Sequence, residues 1–233
     1  ANHVAIIQKK PVLIMSGEMP KEQIAMRLCC AMAPADIGVL RNAPHKLPKE
    51  EFTAYTNAVV MLKNVPMQIN DTSRPSIANI RESIRKTQHQ YGLVGAVLVD
   101  YLQIMKTTKP FAREDLKIAY FTGELKAMAK EFNCVIVLLS QLNRELEKRP
   151  NKRPVLSDLR ESGAIEQDAD QIIFLYRDEI YNKESQFRGI AEAIVGKNRH
   201  GEAGTAYMHA QLKYCQFTNL DHDALNQIQG NLI

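Results

Sequence analysis

Two apolar runs, each ending in a polar side chain, constrain this chain more than any other feature. Residues 94–101 read Val-Gly-Ala-Val-Leu-Val-Asp-Tyr and residues 134–141 read Cys-Val-Ile-Val-Leu-Leu-Ser-Gln. Both are rich in β-branched residues and too apolar for a strand with one wet face, so they suit the buried middle of a parallel sheet. Open sheets of this kind bind ligands beyond the carboxyl ends of their strands, which is where Asp100 and Gln141 emerge. A carboxylate there can hold a magnesium ion and a neutral amide can sense a phosphate, so the pair suits a nucleoside triphosphate.

Strand and helix periodicities alternate along most of the chain. Strands are predicted at residues 11–16, 66–70, 94–100 and 134–140, with helices at about 20–33, 49–63, 76–90 and 113–132. Residues 34–48 read as a turn-rich connection. A short helix near 162–168 and a strand at 170–176 follow a basic loop, and two or three strands at about 189–197, 204–211 and 213–218 close the chain. The alternation predicts an α/β fold: a mostly parallel twisted sheet flanked by helices, with the late strands, which lack intervening helices, as an antiparallel edge. One domain is expected over residues 1–220, with a polar tail at 221–233.

Composition narrows the class. The 233 residues are 45% hydrophobic, enough for one sizeable core, and no apolar run approaches the roughly 20 residues needed to span a bilayer. The first residues lack signal-peptide order and an initiator Met; they read as the interior of a helix within a longer chain, and a cytoplasmic protein is the expectation. Cys29, Cys30, Cys134 and Cys215 form no CxxC or Cys/His cluster, so zinc and disulfides are not expected. The net charge of +4 is mild. Its distribution says more, because Arg144, Lys148, Arg149, Lys152 and Arg153 crowd one loop, as either a solvated run or a polyanion contact.

Several residues carry the chemistry. Glu18 follows the first strand and could orient or deprotonate a water attacking a terminal phosphate; as a helix N-terminal carboxylate it could instead simply answer the dipole. Asp100 ends a run of the hydrophobic–acid form used for magnesium, or caps the next loop. Gln141 introduces the basic loop, so a phosphate contact there would be transmitted to it. Ser157 to Gly163 supplies a cation, small residues and free amides before a helix start, and no aromatic residue interleaves, which favours gripping a nucleic-acid backbone over stacking bases. Lys197 and Arg199 stand at alternate positions near a strand end, as hairpin charges or as a finger toward a neighbouring subunit.

Taken together, SGEMP, VGAVLVDYLQIM, VIVLLSQLNR, KRPVLSDLRESGAIEQDADQIIFLYRDEIY and GKNRHG resemble the RecA-like motor domain of DnaB-type replicative helicases, in order and spacing, over about residues 1–218. The resemblance implies a RecA-like P-loop NTPase core in a homohexameric ring. The ring would encircle single-stranded DNA and move along it with ATP, or another nucleoside triphosphate, and Mg2+. It further implies that Glu18 is the catalytic glutamate, Asp100 the metal-holding aspartate and Gln141 the γ-phosphate sensor. Arg160, Glu161 and Gly163, with Arg153 upstream, would contact DNA, and Lys197 and Arg199 would act in trans on the adjacent subunit's nucleotide. Primase and a helicase loader are the further partners it implies.

One departure stands out. The pattern Gly-x-x-x-x-Gly-Lys-Ser/Thr occurs nowhere in the sequence, so the expected domain lacks its first strand and P-loop. The residues as given are therefore expected to hydrolyse little ATP. A truncated, non-catalytic module serving oligomerisation or loader binding is the alternative. Gly17 sits where the family pattern has larger apolar residues, and Gly123 interrupts a predicted helix at a cost of about 1 kcal/mol.

Overall fold

The computed structural model describes residues 1–159 and 163–221. Its elements are β1 (Val12–Ser16), α1 (Lys21–Met32), α2 (Ile37–Asn42), α3 (Lys49–Lys63), β2 (Met67–Asn70), α4 (Ile77–Tyr91), β3 (Ala96–Asp100), α5 (Glu114–Glu131), β4 (Val135–Leu138), α6 (Gly163–Asp168), β5 (Gln171–Tyr176), β6 (Ile190–Asn198), β7 (Gly204–Gln211) and β8 (Gln216–Asn219). The predicted strands and helices are present with small shifts at their ends. The connection over 34–48 contains a helix that periodicity did not reveal, α2. Its signal was Asp36, whose carboxylate accepts the amides of Gly38 (2.8 Å) and Val39 (3.1 Å) as an N-cap.

The first four strands form a parallel sheet in the order β2-β1-β3-β4. Every residue of β1 is buried because both of its faces are covered. On one face Leu13, Met15, Val97 and Val99 pack against Ile80 and Ile84 of α4 and Phe121 and Leu125 of α5. On the other, Val12, Ile14 and Ala96 pack against Ile24 of α1 and Ala5 of the short π-helical turn His3–Ile7. Helix α3 lies further out, its Ala58 against Cys29 of α1. Cys29 and Cys30 are buried, and Cys134 and Cys215 half-buried.

The late strands are antiparallel, as expected. Among the described residues β5, β6, β7 and β8 form a sheet of their own, in that order, with no ladder between β4 and β5. Two strands can share a core without pairing, and these do: Ile136 and Leu138 of β4 join Ile172 and Phe174 of β5 in the cluster built on α5. Both strands start beside the same stretch of that helix, since Cys134 N–H donates to the Ala129 carbonyl at 3.1 Å while Lys126 pairs with Asp170. Their opposite faces are bare. Val135 and Val137 on β4, and Ile173 and Leu175 on β5, are exposed, with Val135 at 62% and Leu175 at 66%. The cover provided by α1 and residues 3–7 ends before it reaches them. Gly196 of β6 admits the Phe174 ring, since a Cβ there would lie 2.6 Å from Phe174 Cε2.

Candidate functional site

Register brings three strand ends to one rim. Ser16 of β1 lies opposite Asp100 of β3, and Val99 opposite Leu138 of β4. Glu18, Asp100 and Gln141 therefore leave the sheet on the same side. Glu18 and Gln141 are exposed and Asp100 is half-buried. None of these side chains forms a hydrogen bond or ion pair with another described residue. Burial pushes the Asp100 carboxyl above its ordinary range, and the neighbouring Glu18 carboxylate pushes it further. Two carboxylates repelling each other at a sheet edge are relieved by a cation. Among the described residues no three His, Cys, Asp or Glu side chains gather into a metal cage. Magnesium fits such a site, because it keeps several waters and takes only one or two carboxylates together with phosphate oxygens.

The surroundings hold these side chains in place. The buried Ser16 hydroxyl donates to the Met19 carbonyl (2.8 Å) and accepts the Met19 N–H (3.2 Å), closing the turn that carries Glu18. Gly17 N–H donates to the Asp100 carbonyl at 2.9 Å, tying that turn to β3. A Cβ on Gly17 would collide with the Ile104 side chain and lie 3.1 Å from Pro75 Cδ, so only glycine fits there without a shift of Ile104. Asp71, beyond β2, accepts Lys21 N–H at 3.1 Å and so caps α1 behind Glu18. The Asp100–Tyr101 peptide is cis.

Beyond Gln141 the chain is stitched to the basic segment. Leu142 bridges Leu159, and Asn143 N–H donates to the Asp158 carbonyl at 2.8 Å. The cations of this loop divide by partner. Arg149 bonds the buried Asp158 carboxylate (2.7 Å) and the Arg153 carbonyl (3.0 Å). Arg153 bonds the nearly inaccessible Glu192 through two nitrogens, at 2.8 and 2.7 Å, over the Tyr176 ring. Lys148 pairs with Glu145 at the surface. Arg144 is exposed and has no ion-pair partner among the described residues. Arg153, expected to touch DNA, is thus committed to its own fold. Arg160 and Glu161 lie outside the described residues; Gly163 is the first residue of α6.

Lys197 and Arg199 also turn inward. The Lys197 ammonium donates to the carbonyls of Glu166 and, at 2.8 Å, Ala169, near the end of α6. Arg199 pairs with Asp170 at 3.1 Å with both side chains about half exposed. An exposed pair of that kind is worth roughly 0–1 kcal/mol, so Arg199 is easily released to another anion, whereas breaking the Arg153–Glu192 pair would strand a buried carboxylate.

Sequence reading passed over Ser16, Asp71, Gln103 and Ser140. The signals were present: Ser16 and Ser140 are polar residues at the ends of apolar strands, and Gln103 stands three residues after Asp100.

The family model described as the DnaB-like helicase C terminal domain matches residues 1–219. The chain is 42% identical over 219 residues to the replicative DNA helicase DnaB of Haemophilus influenzae, covering 94% of this chain and 47% of that protein. It is 40% identical over 218 residues to the DnaB of Buchnera aphidicola subsp. Acyrthosiphon pisum, with 93% and 47% covered. It spans about half the length of the curated relatives it matches. Two solved structures superpose with a TM-score of 0.87 at 35% identity over 92% of this chain. One is an ATPase domain, 76% covered, and the other a DnaB-like replicative helicase described with its interactions with primase, 52% covered.

Proposed function

The chain belongs to the DnaB-like helicase C-terminal domain family, and we propose that it is the motor domain of a hexameric replicative helicase, coupling nucleoside triphosphate hydrolysis to movement along single-stranded DNA and unwinding of duplex. The carrying observation is the rim itself: Glu18, Asp100 and Gln141 converge there without partners of their own, while the segment beyond Gln141 is bonded to residues 158–159.

In this reading the Asp100 carboxylate would hold Mg2+, which when bound would supply neutralisation of phosphate charge. Glu18 orients the attacking water and takes its proton. Gln141 donates its amide to the terminal phosphate, and loss of that phosphate frees the amide and shifts the loop through Leu142 and Asn143. Arg199, released from Asp170, and Lys197 serve the adjacent subunit's nucleotide. A trans arginine of this sort is worth about 10³–10⁵ in rate, which makes hydrolysis depend on ring closure. Arg160, Glu161 and Gly163 contact the DNA backbone.

We propose that a P-loop strand of the kind the resemblance implies would lie in the seam between β4 and β5, where both strands share a core on one side and leave Val135, Val137, Ile173 and Leu175 bare on the other. Residues 1–233 alone then hydrolyse little nucleotide. Among the described residues no helix is long and apolar enough to cross a membrane; a cytoplasmic location, and primase and loader as partners, belong to this proposal.

The test uses the natural full-length protein. Glu18→Gln should lower kcat by about 10²–10⁴ with Mg2+-nucleotide binding retained, and Asp100→Asn should remove Mg2+-dependent turnover. As a folding control, Asp100→Asn in this domain should leave the thermal midpoint unchanged or higher, since it removes a repelled carboxylate. Hydrolysis by Glu18→Gln within a few-fold of the parent would overturn the assignment.

A further inference from the structure

Gln103 lies in the 3-10 turn Leu102–Ile104 directly after Asp100, and both ends of its side-chain amide are engaged. Its Oε1 accepts the Gln141 N–H at 3.2 Å, and its Nε2 donates to Ser140 Oγ at 2.9 Å and to the Gln141 carbonyl at 3.4 Å. The backbone repeats the tie, since Leu102 N–H donates to the Leu139 carbonyl at 2.9 Å and Leu139 N–H to the Val99 carbonyl at 3.0 Å. Gln141 is therefore held by its backbone while its own amide has no described partner. An exposed residue just past a strand would otherwise sample many orientations. Gln103 removes that freedom at the backbone and leaves the functional end of the side chain unspent.

We propose that Gln103 is a positioning residue: it aims Gln141 at the terminal phosphate and fixes the metal-holding turn to the strand exit that leads into the polynucleotide segment. This rests on the functional reading above. Without Gln103 the turn after Asp100 and the exit of β4 would keep their backbone bonds, so the fold survives. The height and direction of Gln141, however, would no longer follow Asp100. Nucleotide binding, carried by other groups, would be spared; turnover and its response to DNA would not.

The experiment measures steady-state hydrolysis of Mg2+-ATP by the natural full-length protein, with and without a deoxythymidine homopolymer, for Gln103→Ala, Ser140→Ala and the double variant. The expected result for Gln103→Ala is a kcat lower by about 10- to 100-fold, the range for a misplaced catalytic group. KM should stay within about two-fold and polymer stimulation should be largely lost. Ser140→Ala should have a smaller effect in the same direction, and the double variant should be no worse than Gln103→Ala, because the two side chains act as one unit. A merely structural role would lower the thermal midpoint and multiply the single effects, which would overturn the proposal, as would a wild-type kcat for Gln103→Ala. Asp100→Asn and Gln141→Ala run beside these variants. If they abolish turnover while Gln103→Ala does not, the positioning role fails alone; if they leave turnover intact, the site assignment itself fails.

Discussion

At the scale of single residues, ionisable groups here divide into those spent on the fold and those left for a ligand. Tyr176, Asp178, Arg153 and Glu192 belong to the first kind. The Tyr176 hydroxyl donates to Asp178 at 2.8 Å and its ring stacks on Tyr181. Burial, then the bond to Asp178, pushes the Tyr176 phenol up to about 12. The folded state thus holds this proton more tightly than the unfolded chain, whose tyrosines ionise near about 10. The resulting stabilisation is complete below the unfolded value and is lost as pH rises from about 10 through about 12. Tyr176→Phe should cost about 1 kcal/mol near neutrality, and its deficit should shrink over that alkaline window in urea titrations. A deficit that stays flat with pH would refute the assignment. That Glu18, Asp100 and Gln141 leave the sheet on one side was legible, because each sits beside an apolar run whose end can be read locally. Sequence could not reveal the Arg153–Glu192 pair, since Glu192 lies 39 positions away on β6 and only the fold brings the two together.

At the scale of elements, caps and periodicity were legible and pairing between sheets was not. Helix α4 begins at a reciprocal Ser76–Asn79 capping box and buries Ile77, Ile80 and Ile84 on one stripe, a pattern that local sequence states outright. Helix α5 was equally plain, yet carries Gly123 in its interior. That residue is exposed, and a Cβ there would meet nothing within 4 Å. Its cost is therefore backbone freedom alone, and Gly123→Ala should stabilise the domain by about 0.5–1 kcal/mol. The thermal midpoint should rise by up to about 4 °C for a chain of this size. A lower midpoint would mean that this face of α5 is covered by something an added methyl group displaces. The separation of β5 from β4 could not be read in either strand, because each is apolar on both faces whether or not the other is its neighbour.

At the scale of the whole molecule, the bare faces of β4 and β5 form an unsatisfied apolar surface among the described residues. A strand alternating buried Ile172, Phe174 and Tyr176 with exposed Ile173 and Leu175 is patterned for cover on both sides. Open apolar edges of this sort invite pairing with another chain. Residues 1–233 alone should therefore bind a hydrophobic dye and self-associate. Val135→Lys and Leu175→Lys should suppress both while changing stability by no more than about 0.5 kcal/mol, as exposed sites do. In the natural full-length protein the same lysines would be buried by the segment we assign to the seam. There they should cost at least about 2–3 kcal/mol, the penalty of forcing an unpaired charge into a core. The contrast between the two backgrounds is the decisive quantity, because a general intolerance of lysine on these strands would affect both alike. Equal losses in the two proteins would leave the seam as an ordinary surface and remove the place where a phosphate-gripping loop could join this rim.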